Sequence, residues 1–159
     1  MSEKETERIR EFLDKHKVKY EIMEHDPTPT SELAAKIRGT RLEEGAKAMV
    51  MRSKGKFLMC VISGDRKIDL EVMRQVVRSK SLSFATPGEV FEVTGCKVGS
   101  VPPFGNLFGI PVYIDRSLFR NENIAFNAGL STVSIVIGLM IGAEDYLRIV
   151  KPIVGDFST

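Results

Sequence analysis

Apolar and polar positions alternate so as to divide the chain into short strands and short amphipathic helices. Residues 3–16 are highly charged but place Ile9, Phe12 and Leu13 at i, i+3 and i+4, the narrow apolar stripe of a surface helix. Residues 17–24 alternate with period two and predict a half-buried strand, ended by His25-Asp26-Pro27-Thr28-Pro29. Thr30 or Ser31 can cap a short helix that runs to Arg38 and stops at Gly39. Strands over 46–52 and 56–62 are joined by Ser53-Lys54-Gly55 as a hairpin, and the second is apolar on both faces, as a central strand is. Asp69 caps a helix from Leu70 to about Ser79, with Val72, Met73, Val76 and Val77 inward. A short strand at 82–85 leads into Thr86-Pro87-Gly88-Glu89. Here Thr86 caps, Pro87 takes the first helical position, Glu89 closes a capping box and Gly95 ends the helix. Strands follow at 111–115, 123–127 and 132–141, with a turn or short arm at 116–120 and Gly138 as a bulge or bend. A last helix at 143–150 precedes a tail containing Pro and Gly.

About seven strands interleave with four or five helices, and the short connections between neighbours imply a mainly antiparallel, twisted sheet. This is a mixed α+β fold, read as one domain over 1–159. It is not a doubly wound nucleotide fold, and neither GxGxxG nor GxxxxGK[ST] occurs. Composition changes little: 43% hydrophobic and 28% charged residues are ordinary for a globular protein. A net charge of +2 gives no overall drive towards nucleic acid, but residues 47–80 carry nine basic against three acidic side chains. That local excess is either a face for a phosphate backbone or a solvated mixed surface. Cys60 and Cys96 lack CxxC spacing, and with only His16 and His25 beside them no zinc site is expected. The charged N-terminus is unlike a signal peptide. The most apolar segment, 133–143, is interrupted by Gly138 and Gly142 and falls short of the ~18–20 residues of a membrane span. The expectation is a cytoplasmic protein with no membrane contact and no cofactor.

Three features bear on chemistry. Gly99-Ser100-Val101-Pro102-Pro103-Phe104-Gly105 cannot be a helix or a central strand. It is either a tight connection or a rigid loop whose remaining amides hold a phosphate or an oxyanion. Lys47 shares a strand face with Met49 and Met51, so it either snorkels at the strand end or serves as an anion clamp or a pKa-shifted base. Asn127-Ala128-Gly129 is a turn-type stretch that can present polar groups. His25 can line a cleft or be satisfied by nearby backbone. Asp65, Asp69 and Asp115 sit at turns or helix starts, where carboxylates cap. No nucleophile–base pair stands out.

The landmarks together are more specific than any one of them. They are Glu24-His25-Asp26-Pro27 followed by Thr30; Gly45-Ala46-Lys47-Ala48-Met49-Val50; Gly64-Asp65-Arg66-Lys67-Ile68-Asp69; Thr94-Gly95; the 99–105 loop; Ile114-Asp115; and Asn127-Ala128-Gly129. In order and spacing, from about Ile9 to Val150, the chain resembles the YbaK/ProX family of aminoacyl-tRNA deacylases, which includes the editing domain of many bacterial prolyl-tRNA synthetases. The resemblance implies a barrel-like antiparallel sheet flanked by helices. It implies hydrolysis of mischarged aminoacyl-tRNA carrying a small amino acid, and a synthetase as a candidate partner. It assigns Lys47, Gly99 and Ser100 to catalysis. It assigns Met23, His25, Thr30, Val101, Pro102, Gly105, Asn127, Ala128, Gly129 and Ser134 to the substrate pocket, with no metal. Three departures stand out: Gly99-Ser100 where many members have two glycines, Ser134 where some carry an acid or histidine, and Met23 where some carry an aromatic ring. A non-catalytic module docking tRNA or a synthetase is the alternative from another class, and a pocket for a free nucleotide or amino-acid ester is a third.

Overall fold

The computed structural model describes residues 2–25, 31–130 and 136–159. Thirteen elements of helix and strand follow one another: α1 (Ser2–Lys15), β1 (Glu21–His25), α2 (Ser31–Arg38), β2 (Ala46–Ser53), β3 (Lys56–Ser63), α3 (Leu70–Val77), β4 (Ser83–Phe84), α4 (Pro87–Thr94), β5 (Val112–Asp115), β6 (Asn123–Leu130), β7 (Val136–Gly142), α5 (Ala143–Val150) and β8 (Ile153–Gly155). Short 3-10 turns lie at Leu42–Glu44, Gly105–Phe108 and Arg116–Arg120. The mixed α+β class is as expected. The expected caps form: Asp69 accepts the Val72 amide, and Thr86 and Glu89 close the capping box over Pro87.

The strands do not close into one barrel. They form a three-stranded antiparallel sheet, β1-β7-β6, and a five-stranded sheet, β4-β2-β3-β5-β8. Among the described residues the two sheets are joined by one isolated bridge, Gly45 to Ala125. β3 is central, as its two apolar faces require. Pairing is less uniformly antiparallel than the short connections imply: β3 with β5 and β5 with β8 are parallel. The reason is the length of the intervening chain, since α3, β4 and α4 carry it back across the sheet before β5 begins. β8 forms within what the sequence presents as a tail. The register irregularity foreseen at Gly138 falls on the partner strand, between Asn127 and Leu130, where Asn127 still faces Gly138.

Both faces of the five-stranded sheet are covered. Between the sheets lies the larger core, where Val50, Met59 and Val61 meet Ile9 and Leu13 of α1, Phe126 of β6 and Tyr146 of α5. On the opposite face Met51, Cys60 and Ile62 pack against Met73 of α3 and Phe157. Asp115 ties the far end of the sheet together. Its carboxylate accepts from the amides of Ser117 (3.1 Å) and Phe157 (2.8 Å) and from the hydroxyls of Ser117 and Ser158. Burial alone would raise its pKa, but those donors outweigh it and hold the carboxyl below the usual range.

Candidate functional site

The loop at 99–105 is held from both ends. At the end of α4, buried Thr94 donates its hydroxyl to Val90 O (2.7 Å) and accepts the Cys96 amide (3.1 Å), which turns the chain outward. Ser100 then donates both its amide (3.0 Å) and its hydroxyl (2.8 Å) to Lys97 O. Beyond the prolines, Phe104 is fully buried, edge-to-face with Phe12, Phe126 and Tyr146. The Tyr146 hydroxyl donates to Pro103 O, and burial pushes that phenol up, so it stays a donor. Gly105 is a close-packing position: a Cβ there would lie 2.7 Å from Val112 Cγ2 and 3.1 Å from Ile110 O.

This anchoring decides which backbone donors remain. The Ser100 amide is spent on Lys97, the Phe104 amide on Pro102 O (2.8 Å), and Pro102 and Pro103 have none. The amides of Gly99 and Val101 carry no hydrogen bond among the described residues. Gly99 has φ +90° and its missing Cβ would meet nothing within 4 Å, so backbone conformation and not crowding calls for glycine. Ser100 has no positive φ. A side chain is therefore accommodated where a second glycine is usual in the family the sequence resembles.

A cavity of about 270 Å³ lies between this loop, β2, β4 and α4. β4 pairs only with Met51 and Arg52 of β2, so residues 47–49 lack a strand neighbour on that side among the described residues. The cavity occupies the gap. Val50, Ala85, Val90, Val98 and Val101 give it apolar walls, while Lys47 and Gly99 supply the polar groups. Lys47 is half-buried and donates to Arg66 O (3.0 Å), and its other two donors have no hydrogen-bond partner among the described residues. Its pKa is held below the usual lysine range, chiefly by loss of water. Glu32 on α2 and Asp65 oppose this shift, and Lys67 adds to it.

Asn127 on β6 closes the arrangement. Its Nδ2 donates to Gly99 O (2.8 Å), and its Oδ1 accepts from the guanidinium of Arg38 at the end of α2. Burial pushes the Arg38 pKa down to about 10. Its Nε is sealed from solvent and has no partner among the described residues. Two landmarks 28 positions apart are thus one hydrogen-bonded unit, and the three-stranded sheet holds a loop that serves the five-stranded one. Sequence reasoning missed Arg38, which reads as an ordinary basic residue in the last turn of a helix.

Lys47, Gly99, Val101 and Asn127 therefore come together. Pro102 lies buried behind the loop, and the Ala128 carbonyl faces α1, accepting from Thr6 (2.8 Å). Met23 is half-buried in β1 opposite Gly138, and Gly129 lies within β6. None of these four, nor Gly105, is among the residues that line the cavity. His25 ends β1; Thr30 and Ser134 lie outside the described residues. Cys60 is buried with its Sγ 3.3 Å from Met51 Sδ, and burial pushes its thiol up, so it is a core residue and not a nucleophile. No group of three metal-ligating side chains occurs among the described residues. The site offers one cation, two unspent amides and an apolar wall, which suits a small ligand with an electron-rich oxygen.

The model of the aminoacyl-tRNA editing domain matches residues 25–140, which span every element that lines the cavity. The multifunctional Ser/Thr-tRNA deacylase ProXp-y of Escherichia coli (strain K12) is 32% identical over 151 residues, covering 92% of this chain and 88% of that protein. The prolyl-tRNA editing protein ProX of Acetoanaerobium sticklandii is 30% identical over 145 residues, covering 87% and 86%. The solved structure of the hypothetical protein APE2540 superposes with a TM-score of 0.85 at 23% identity, over 96% of this chain and 99% of that one, a likeness of fold alone. Sequence, fold and the full length of the cavity-forming segment agree: the chain belongs to the aminoacyl-tRNA editing domain family.

Proposed function

We propose that this protein is a trans-editing deacylase that hydrolyses the ester of tRNA mischarged with a small amino acid. One observation carries the reading: Lys47, Gly99 and Val101, the last two with unspent amides, line one small, mostly apolar cavity, and the Arg38–Asn127 pair braces the Gly99 carbonyl. The names of the relatives, a Ser/Thr-tRNA deacylase and a prolyl-tRNA editing protein, support it. An aminoacyl ester is already activated, so positioning does most of the work. In the reaction a water oxygen bonds to the carbonyl carbon, the bond from that carbon to the ribose oxygen breaks, and the ribose oxygen takes a proton. Negative charge develops on the carbonyl oxygen, where the Gly99 and Val101 amides stabilise it. Lys47 binds a neighbouring phosphate or the aminoacyl end through its two remaining donors. The attacking water is oriented by the substrate, so no side-chain nucleophile is required. Selectivity comes from cavity size, which admits small side chains and excludes large ones.

No described helix is long and apolar enough to cross a membrane; the reading places the enzyme in the cytoplasm, with charged tRNA as substrate and a synthetase as a candidate partner. A panel of mischarged tRNAs, beside minimal aminoacyl-adenosine esters, tests it. Deacylation of small-residue esters that Lys47→Ala abolishes, with the fold intact, is expected. Salt-sensitive tRNA binding without ester cleavage would overturn it in favour of a docking module.

A further inference from the structure

Phe84 is not explained by packing. It is 45% exposed, and it belongs to neither hydrophobic cluster, although its neighbour Ala85 packs against the larger one. Its backbone is nonetheless fixed: Phe84 pairs with Met51, and the Ala85 amide donates to Val50 O (3.1 Å). Phe84 is among the residues that line the cavity containing Lys47 and Gly99, as is Val98, which is 61% exposed. An exposed aromatic side chain on a fixed backbone, lining a cavity beside a lysine and a glycine amide, can serve as a stacking platform.

The edge of β2 beside it runs on past the two residues that β4 pairs with. Inter-strand bonds in an antiparallel pair alternate along the strand. Val50 O is directed to β4, so the N–H and C=O of Ala48, two residues earlier, point the same way, into the cavity that Ala48 lines. Ala48 stands opposite Val61 in the same kind of pair as Val50 with Met59, whose amide goes to Pro111 O, so both groups of Ala48 are directed away from β3. A donor and an acceptor side by side match the adjacent acceptor and amino group on the Watson–Crick edge of adenine.

We infer that Phe84 stacks on the 3′-terminal adenine of the substrate, with the Ala48 edge as its polar rail. The inference rests on the deacylase reading. Ester and base are substituents of one ribose, so a cavity that takes the ester must receive the base at its mouth.

Two measurements test this. Deacylation is compared for wild type, Phe84→Leu and Phe84→Tyr, on a mischarged tRNA with its normal end and on one ending in an abasic ribose. Phe84→Leu is expected to lower kcat/KM on the normal end by about 5- to 150-fold, through KM, with Phe84→Tyr near wild type. On the abasic end all three proteins are expected to be equal. An unchanged Phe84→Leu, or equal losses on both substrates, would overturn the inference. The second readout needs no catalysis. The chain has no tryptophan, so Phe84→Trp introduces a single indole. Uncharged tRNA is expected to quench its fluorescence, and the abasic form is not. Equal quenching by both overturns the base contact even if no ester is cleaved. Quenching by the normal end alone, in a protein that cleaves nothing, keeps the base contact and sinks the deacylase reading.

Discussion

Asn127 uses its two ends for different purposes, and one substitution separates them. Asn127→Asp keeps the size of the side chain and its acceptor towards Arg38, now as a full carboxylate. It removes the Nδ2 donor that sits 2.8 Å from Gly99 O and puts an oxygen in its place. Two acceptors at that separation repel, so the Gly99 carbonyl moves, and the neighbouring amides move with it. A lost donor against an acceptor left facing an acceptor costs about 1–3 kcal/mol. If that is felt where the oxyanion forms, kcat falls about 5- to 150-fold. Stability goes the other way. The Arg38 guanidinium is held at the end of α2 by a neutral partner, and a carboxylate there offsets its burial, so unfolding free energy stays within about 1 kcal/mol of wild type. Asn127→Ala deprives both neighbours and is expected to lose about 1–3 kcal/mol of stability together with activity. Urea unfolding and single-turnover deacylation of the two variants read the two quantities separately. Full activity in Asn127→Asp, or an Asn127→Ala as stable as wild type, would refute the brace.

Four further outcomes are expected. Arg38→Met removes the buried guanidinium while keeping an apolar stem, so deacylation falls about tenfold with little change in unfolding midpoint, measured by kinetics beside a thermal melt. Gly99→Ala meets no steric obstacle but must hold φ +90°; it costs about 1–2 kcal/mol by chemical denaturation, or relaxes the loop and loses activity instead. Phe104→Ala empties the aromatic cluster under the loop and lowers unfolding free energy by about 3–5 kcal/mol in urea. Asp115 has a folded pKa below its unfolded one, so its contribution is present at neutral pH and is lost as pH falls through the depressed value. The melting temperature of Asp115→Asn is therefore expected to start lower at neutral pH and to fall less than wild type on acidification.

Local chemistry made much of this molecule legible from its sequence. The Thr86–Glu89 box, the Asp69 cap and the Lys54-Gly55 hairpin are decided within a few residues, and all three form as read. Prolines and an out-of-place charge single out the loop and Lys47, but those residues alone leave each open between a structural and a binding reading, and only the order of the landmarks favours the second. What could not be read depends on distance along the chain. β8 is three residues long, and only its parallel partner β5 makes it a strand. Gly105 is constrained by packing against Val112 and Ile110, which nothing in its own loop marks. Arg38 acquires its role from a residue 89 positions away, and no pattern near it marks that contact. Of the five amides in the loop sequence, Ser100 and Phe104 are spent on Lys97 O and Pro102 O, which only the folded turn reveals, while Gly99 and Val101 line the cavity with theirs unspent among the described residues.

The hydroxyl of Tyr146 braces Pro103 from 43 residues further along the chain. During synthesis, at about 5–20 residues per second, that separation is a delay of about 2–9 seconds. Phe104 cannot settle among its ring partners until the same helix has been made, because Tyr146 is one of them. The loop at 99–105 is thus completed late by the ribosome that makes it. A chain released before α5 would carry Lys47, Gly99 and Asn127 in full and still lack the tyrosine that holds the loop beside them.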